Sequence, residues 1–270
     1  MSSKKEHHSS KNQKWKKQKE SKNHHRDQQQ QQKISISRKK LIYLIRHGES
    51  LGQIANFHRM DRKRDPRLTD AGLTSKGQRQ AKDIPSQLKK LEEEQPEKAP
   101  YTQENIDLVV SSPLTRAIHT ALLGFQDRSA TSNFIIHPHL REQGGLGANQ
   151  LPENQSRPIQ RVLKHLREDR SVMESRINEI QFDLVLKEEK NEHTKNNGRK
   201  SPSAKGQIRD FLLWLYQERT EQVIAVVCHY NVIRCMLGPM LSPQNALPIP
   251  CELSHDGQLE PIIRDGIKKC

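Results

Sequence analysis

Cysteine is sparse in this 270-residue sequence and aromatic side chains make up only 4% of it. The four cysteines (Cys228, Cys235, Cys251 and Cys270) form no C-x-x-C pair and no dense framework. That spacing argues against a thiolate zinc module and a disulfide-stapled scaffold, and it predicts free thiols in a reducing compartment. No stretch approaches 18 consecutive apolar residues, so a membrane-spanning helix is not expected. The N-terminus has no apolar segment of the kind a secretory signal needs. No internal repeat is present. These absences leave a cytoplasmic globular protein as the expectation, with no membrane contact.

The charge is unevenly placed. Residues 1–40 hold 13 Lys and Arg against 3 Asp and Glu, leaving 33 against 29 in the remaining 230 residues. The basicity is therefore a property of the N-terminal tail. Residues 1–38 are rich in Lys, Gln and His, with a glutamine run from Gln28 to Gln32. Such a segment cannot bury enough apolar surface to offset its ordering entropy, and it is expected to be disordered. A solvated tail is the default reading, which extends to His7, His8, His24 and His25; weak contact with anionic partners, nucleic acid included, and nuclear targeting are the options. Trp15 is its lone aromatic, too little interleaving for a nucleic-acid module.

Residues 39–256 read as one domain, followed by a C-terminal tail at 257–270. Four short apolar runs resemble buried strands: 41–45, 106–110, 134–136 and 223–227. Helical patterns lie between them. Ser75 to Leu91 reads as one helix kinked at Pro85. Ser112-Pro113 is expected to open a second, with Ser as N-cap and Pro at the first helical position. Ile208, Phe211, Leu212 and Leu215 give a third. Alternating strands and helices imply a mostly parallel sheet covered on both faces. Residues 151–203 read as a helical cap insertion, with helical spacing at 159–166 and at Met173, Ile177 and Ile180, and a polar loop from Glu192 to Ser203.

In open parallel α/β sheets, ligands bind beyond the carboxyl ends of the strands. The residues following the four runs are Arg46-His47-Gly48-Glu49, Ser111-Ser112-Pro113-Leu114-Thr115-Arg116, Leu140-Arg141-Glu142 and Cys228-His229-Tyr230-Asn231. One sheet edge could thus collect two arginines, two histidines and a carboxylate. Phosphoryl transfer needs such a set. Guanidinium forks match the charged equatorial oxygens of the transferring group. A neutral imidazole can attack phosphorus, and a carboxyl can protonate the departing oxygen and then activate water. Two other readings are weaker. Cys228 neighbours His229 in a strand, where adjacent side chains point to opposite faces, so it reads as small-hydrophobe packing. His137-Pro138-His139 has no third and fourth ligand at useful spacing and reads as solvated loop.

The blocks resemble those of the histidine phosphatase superfamily, which includes cofactor-dependent phosphoglycerate mutases and many phosphatases. Leu44 to Ser50 is similar to its R-H-G-E motif. Leu73-Thr74, Gly77 and Gln80-Ala81 resemble its L-T-x-x-G-x-x-Q-A, and Ser111 to Ala121 its S-S-P-L-x-R-A-x-x-T-A. Leu140-x-Glu142 resembles its L-x-E-x-x-x-G only loosely, with the glycine position falling at Leu146. Val227-x-His229 matches the strand end that carries the second histidine. The resemblance implies a three-layer α/β/α sandwich with no metal and no other cofactor. It implies His47 as phosphoryl acceptor and Glu142 as acid/base, with Glu153 as a nearby alternative. Arg46, Arg116 and His229 would bind the phosphoryl oxygens, with Gln53 and Asn231 as further phosphate contacts.

This chain departs from the family pattern in places. Gln53 stands where many members carry Asn, and Tyr230 where Gly is frequent. Gln143-Gly144-Gly145 replaces the His-Tyr-Gly of mutases, and no basic block for a second phosphate follows. The expected function is hydrolysis of a small phosphorylated substrate, a phosphomonoester, through a phosphohistidine. A phosphoglycerate mutase-type phosphotransferase and a non-catalytic phosphate-binding module are the alternatives.

Overall fold

A computed structural model describes residues 39–57, 68–94, 105–127, 133–142, 154, 156–194 and 203–262. The expectations for the tail at 1–38, for Glu153 and for Leu146 with its flanking glycines lie outside the described residues. Seven strands form one sheet: β1 (Lys40–Arg46), β2 (Leu108–Ser111), β3 (Asn133–Ile136), β4 (Ile180–Gln181), β5 (Val223–Cys228), β6 (Pro248–Leu253) and β7 (Leu259–Pro261). Their order is β4-β3-β2-β5-β1-β6-β7. The first five in that order are mutually parallel; β6 is antiparallel to β1, and β7 to β6. The helices are α1 (Leu51–Phe57), α2 (Ser75–Lys82), α3 (Ile84–Glu94), α4 (Thr115–Gly124), α5 (Ile159–Glu168), α6 (Glu174–Asn178), α7 (Asp183–Thr194), α8 (Ala204–Gln217) and α9 (Tyr230–Leu237).

The period-two side-chain alternation of a strand divides the core into two layers. Tyr43, Ile45, Val109, Phe134, Ile136, Ala225 and Val227 face one side, where α3, α4 and α5 supply Ile84, Leu88, Ile118, Leu122, Val162 and Leu166. Ile42, Leu44, Val110, Ile135, Val226 and Cys228 face the other, against Phe211, Leu212 and Leu215 of α8 and Val232 and Ile233 of α9. The architecture is a three-layer α/β/α sandwich with a mostly parallel sheet. Among the described residues no helix is long and apolar enough to cross a membrane.

Several local expectations need correction. The helix read over Ser75–Leu91 is two helices broken at Asp83, because Pro85 lacks an N–H and crowds the carbonyl four residues back. The helix expected to open at Ser112 begins at Thr115, and Leu114 at its N-cap makes no side-chain cap. A distant carboxylate does that work: the Thr115 N–H and hydroxyl both donate to Asp70, at 2.8 and 2.6 Å. The segment 151–203 is more than a cap. Val162, Leu166, Ile177 and Val185 are core residues, and Ile180 belongs to an edge strand paired with β3. Residues 192–194 continue α7 instead of opening a loop. The expected C-terminal tail contributes β7, reached by a turn in which Gly257 takes φ +79°, a conformation that favours glycine.

His137 is also not solvated. It is 6% exposed, and its ring lies 4.9 Å from that of Phe211 and 4.7 Å from that of Trp214. Burial holds its pKa down at about 3, and that of His119 at about 4. The unfolded chain therefore takes up protons below about pH 6.5 that the native state refuses. Stability should fall as pH drops from about 6.5 towards 4, by up to about 1.4 kcal/mol per pH unit for each such histidine. Urea unfolding at pH 7, 6 and 5 checks this: His137→Phe keeps the ring packing and should flatten the slope by one histidine's share, whereas an unchanged slope would contradict it.

Candidate active site

The carboxyl ends of β1, β2 and β5 bring His47, Arg116 and His229 together. The Arg116 Nε–H donates to His47 Nε2 at 3.1 Å, and the rings of His47 and His229 lie 5.1 Å apart at 59°. All three residues are at most 3% exposed. His47 Nδ1 lies 2.7 Å from the Gly48 carbonyl oxygen. A carbonyl can only accept, so Nδ1 carries the proton and Nε2 keeps its lone pair. His229 Nε2 lies 2.7 Å from Ser112 Oγ, which already accepts from the Leu114 N–H at 3.3 Å. A hydroxyl can give or take this bond, so the contact engages Nε2 and leaves Nδ1 as the ring nitrogen with no hydrogen-bond partner among the described residues.

The loop carrying His47 is gripped from two helices. The Gly48 N–H donates to Thr120 Oγ1 at 3.0 Å and the Glu49 N–H to Gln80 Oε1 at 2.9 Å. Thr74 donates its N–H to the Glu49 carbonyl at 2.9 Å while its hydroxyl caps α2 by accepting from the Gly77 N–H. Backbone meets backbone here: a Cβ on Gly48 would sit 2.4 Å from the Gly77 carbonyl oxygen, and one on Gly77 would sit 2.0 Å from that of Glu49. The Thr, Gly and Gln of the second sequence block thus serve to hold the first.

Arg46 gives one N–H to the Pro243 carbonyl at 3.1 Å, and its guanidinium lies 5.0 Å from the centre of the Tyr230 ring. Two buried polar atoms, Arg46 Nε and His229 Nδ1, have no hydrogen-bond partner among the described residues. Each such atom costs about 1–3 kcal/mol unless a partner takes it; an oxyanion suits Arg46 Nε, and it suits His229 Nδ1 in the tautomer that carries the proton there. Glu142 accepts from the Asn231 backbone N–H at 3.3 Å and from its side chain. Asn231 therefore serves the carboxyl in this structure. Gln53 likewise spends its amide elsewhere, accepting from the Ser50 N–H at 3.1 Å and pairing with the Asn245 amide at 3.2 and 3.4 Å.

Burial holds the His47 pKa well below its ordinary 6.5, with the Arg116 and Arg46 charges adding to the effect. Burial likewise lowers that of His229, followed by Arg116, His47 and Arg46. Burial raises the Glu142 pKa, against the pull of Arg116, Asn231 and Arg46. Neutral imidazoles, a carboxyl biased towards its protonated form and two permanent cations make a positive pocket fitted to an anion. Cys228 packs in the layer with α8 and α9, and burial pushes its thiol pKa up. Among the described residues no group of three or more His, Cys, Asp or Glu is placed to hold a metal ion.

Three contributors escaped the sequence reading. Asp70 anchors the start of α4, Asn245 donates to the His47 carbonyl at 2.7 Å, and Asn154 accepts from an Arg116 terminal N–H at 2.8 Å. None stands in a patterned block, and each acts across 38 or more residues of chain. No local signal marks them.

The chain belongs to the histidine phosphatase superfamily (branch 1), whose family model matches residues 42–255. Among solved structures it is similar to an alpha-ribazole phosphatase from Shigella flexneri (17% identity, 84% of this chain and 96% of that one, TM-score 0.47). It is similar also to a phosphoserine phosphatase variant from Entamoeba histolytica in complex with phosphoserine (17%, 84% and 96%, 0.44). A third is a phosphoglycerate mutase from Bacillus anthracis (16%, 88% and 95%, 0.45). No curated protein sequence matches the chain.

The grip on the loop makes a separable prediction. Gly77→Ala must push the Glu49 backbone away, so kcat/KM should fall at least about tenfold, the scale of a sub-ångström misplacement of reacting groups. Gly257→Ala, strained at a turn far from the site, should cost about 1–2 kcal/mol of stability and leave kcat/KM intact. Steady-state assays beside thermal melts on both variants check it; equal catalytic losses would contradict it.

Proposed function

We propose that the protein is a phosphatase that hydrolyses a phosphomonoester through a phosphohistidine on His47. The observation that carries this reading is the His47 Nδ1–H···O=C contact to Gly48 at 2.7 Å, which commits the lone pair to Nε2, beside Arg116. In the first step the Arg116 Nε–H passes from His47 Nε2 to a phosphoryl oxygen, the freed Nε2 lone pair attacks phosphorus as the bond to the leaving oxygen breaks, and protonated Glu142 gives that oxygen its proton. The Gly48 carbonyl meets the positive charge that develops on the ring. In the second step water attacks phosphorus, carboxylate Glu142 takes its proton, the P–N bond breaks, and inorganic phosphate leaves. Arg46, Arg116 and the His229 Nδ1–H hold the phosphoryl oxygens throughout. Gln53 and Asn231 steady the surroundings, through Asn245 and Glu142 respectively, rather than gripping phosphate themselves.

The pKa directions set the pH dependence. His47 is competent once deprotonated, so the acid limb of kcat/KM should lie well below pH 6.5. Glu142 must begin protonated, so the alkaline limb should lie above the ordinary carboxylate range. Glu142→Gln should abolish that alkaline limb and lower kcat/KM by about 10²–10⁴-fold for alkyl esters, with a smaller loss for 4-nitrophenyl phosphate, whose leaving group needs no proton. Rate profiles against pH on both substrates check this. A limb that persists in the variant would assign it to another group.

The nucleophile is tested by rapid quench with a ³²P-labelled phosphomonoester. Acid-labile, alkali-stable label should appear on the protein and vanish in His47→Ala; label that remains in the variant would contradict the reading. Supplying 3-phosphoglycerate in the same assay distinguishes a mutase, which would isomerise it faster than it releases phosphate.

A further inference from the structure

We propose that the cleft between α5 and α7 receives the alcohol portion of the substrate, which is therefore a phosphomonoester of a bulky, mainly apolar alcohol with few further anionic groups. The proposal rests on the hydrolytic reading above and names its substrate class. The cleft has a volume of about 640 Å³, within the range of small-molecule sites. Ile159, Leu163, Phe182 and Leu186 form its apolar wall, with Arg157 and Glu189 on its polar margin. Within this wall Leu186 is 43% exposed, a large apolar side chain held open to solvent.

One short stretch of chain joins the cleft to the phosphoryl site. Asn154 accepts from Arg116 at 2.8 Å, and two residues on Ser156 lines the cleft. Two residues of extended chain span at most about 7 Å, so with the Asn154 side chain and its hydrogen bond Ser156 lies within roughly 13 Å of the Arg116 guanidinium. Further contacts tie this strap to the site. Ser156 Oγ accepts from Arg141 Nε at 3.2 Å, next to the proposed acid Glu142, and the Arg157 N–H donates to Asp70, which anchors the helix carrying Arg116. Arg141 also pairs with Glu188, fixing α7 at the same edge. These contacts bring Ser156 and Arg157 of the cleft close to Arg116 and Glu142, so an ester whose phosphoryl group is held by Arg116 would direct its body towards the cleft.

Charge at the margin decides between alcohols. Arg157 and Glu189 carry opposite signs, so they build no strong site for a second anion. A phosphorylated sugar acid finds no net positive charge there for its carboxylate and leaves the apolar wall wet. An alkyl or aryl body covers that wall, worth roughly fourfold in kcat/KM for each methylene it buries, the transfer free energy of a CH₂ group.

The test is kcat/KM of the full chain on straight-chain alkyl phosphates from propyl to octyl, whose leaving groups have nearly equal acidity, with 3-phosphoglycerate alongside. The value should climb at least tenfold across the series and place octyl phosphate above 3-phosphoglycerate. Leu186→Glu should flatten the climb, costing octyl phosphate at least tenfold more than propyl phosphate, with a thermal melt confirming the fold. Glu189→Lys should shift preference towards 3-phosphoglycerate. A flat wild-type series, or a climb unaltered in Leu186→Glu, would overturn the cleft assignment while leaving the phosphohistidine reading in place. Failure to hydrolyse any ester would overturn both.

Discussion

A single hydrogen bond, from the Nδ1–H of His47 to the carbonyl of the next residue, decides which nitrogen of that ring keeps its lone pair. It fixes the tautomer, turns the lone pair towards Arg116, and keeps the ring from rotating. That contact depends on where the Gly48 peptide lies, and the peptide is not free to choose. Thr120 and Gln80 hold the N–H groups of residues 48 and 49, and a glycine-to-glycine approach lets α2 press its backbone against the loop. Side-chain orientation at the centre is thus inherited from helix packing.

The same arrangement explains how two guanidinium groups can share a pocket with two buried imidazoles. Full charge on the rings would add to the arginines' charge in a poorly solvated place, so the rings stay neutral. Glu142 is the compensating acid, and its own burial biases it towards the proton-carrying form. Arg46 Nε and His229 Nδ1 are left without protein partners among the described residues. Native structures seldom leave such atoms unpaired, and a bound oxyanion is a partner that suits an arginine N–H in a positive pocket.

Much of the layout was legible from residue order because the informative blocks are local. A strand followed by Arg-His-Gly, or by Ser-Ser-Pro with Arg in the next turn, carries its own geometry, and the parallel-sheet rule places the two at one edge. What could not be read is tertiary in origin. Asp70 caps a helix that starts 45 residues later, and nothing near Asp70 announces it. Strand β6 was hidden by Pro248 and Pro250, which normally argue against a strand interior. The Pro250 carbonyl points to the β7 side, where it accepts from the Ile262 N–H, so the missing proline donors point that way too and leave the ladder to β1 intact. Strand β4 is two residues long, below the length at which alternation is detectable, and Ile180 fell by chance into helical spacing with Ile177.

The central claim is a neutral His47 with its proton on Nδ1. The most direct measurement is the ¹⁵N chemical shift of both ring nitrogens in histidine-labelled protein, assigned by loss of the signals in a position-47 variant. At pH 6 the account predicts a protonated Nδ1 and a bare, deshielded Nε2, unchanged on raising the pH to 8. A ring protonated on Nε2, or an imidazolium titrating near pH 6.5, would contradict it.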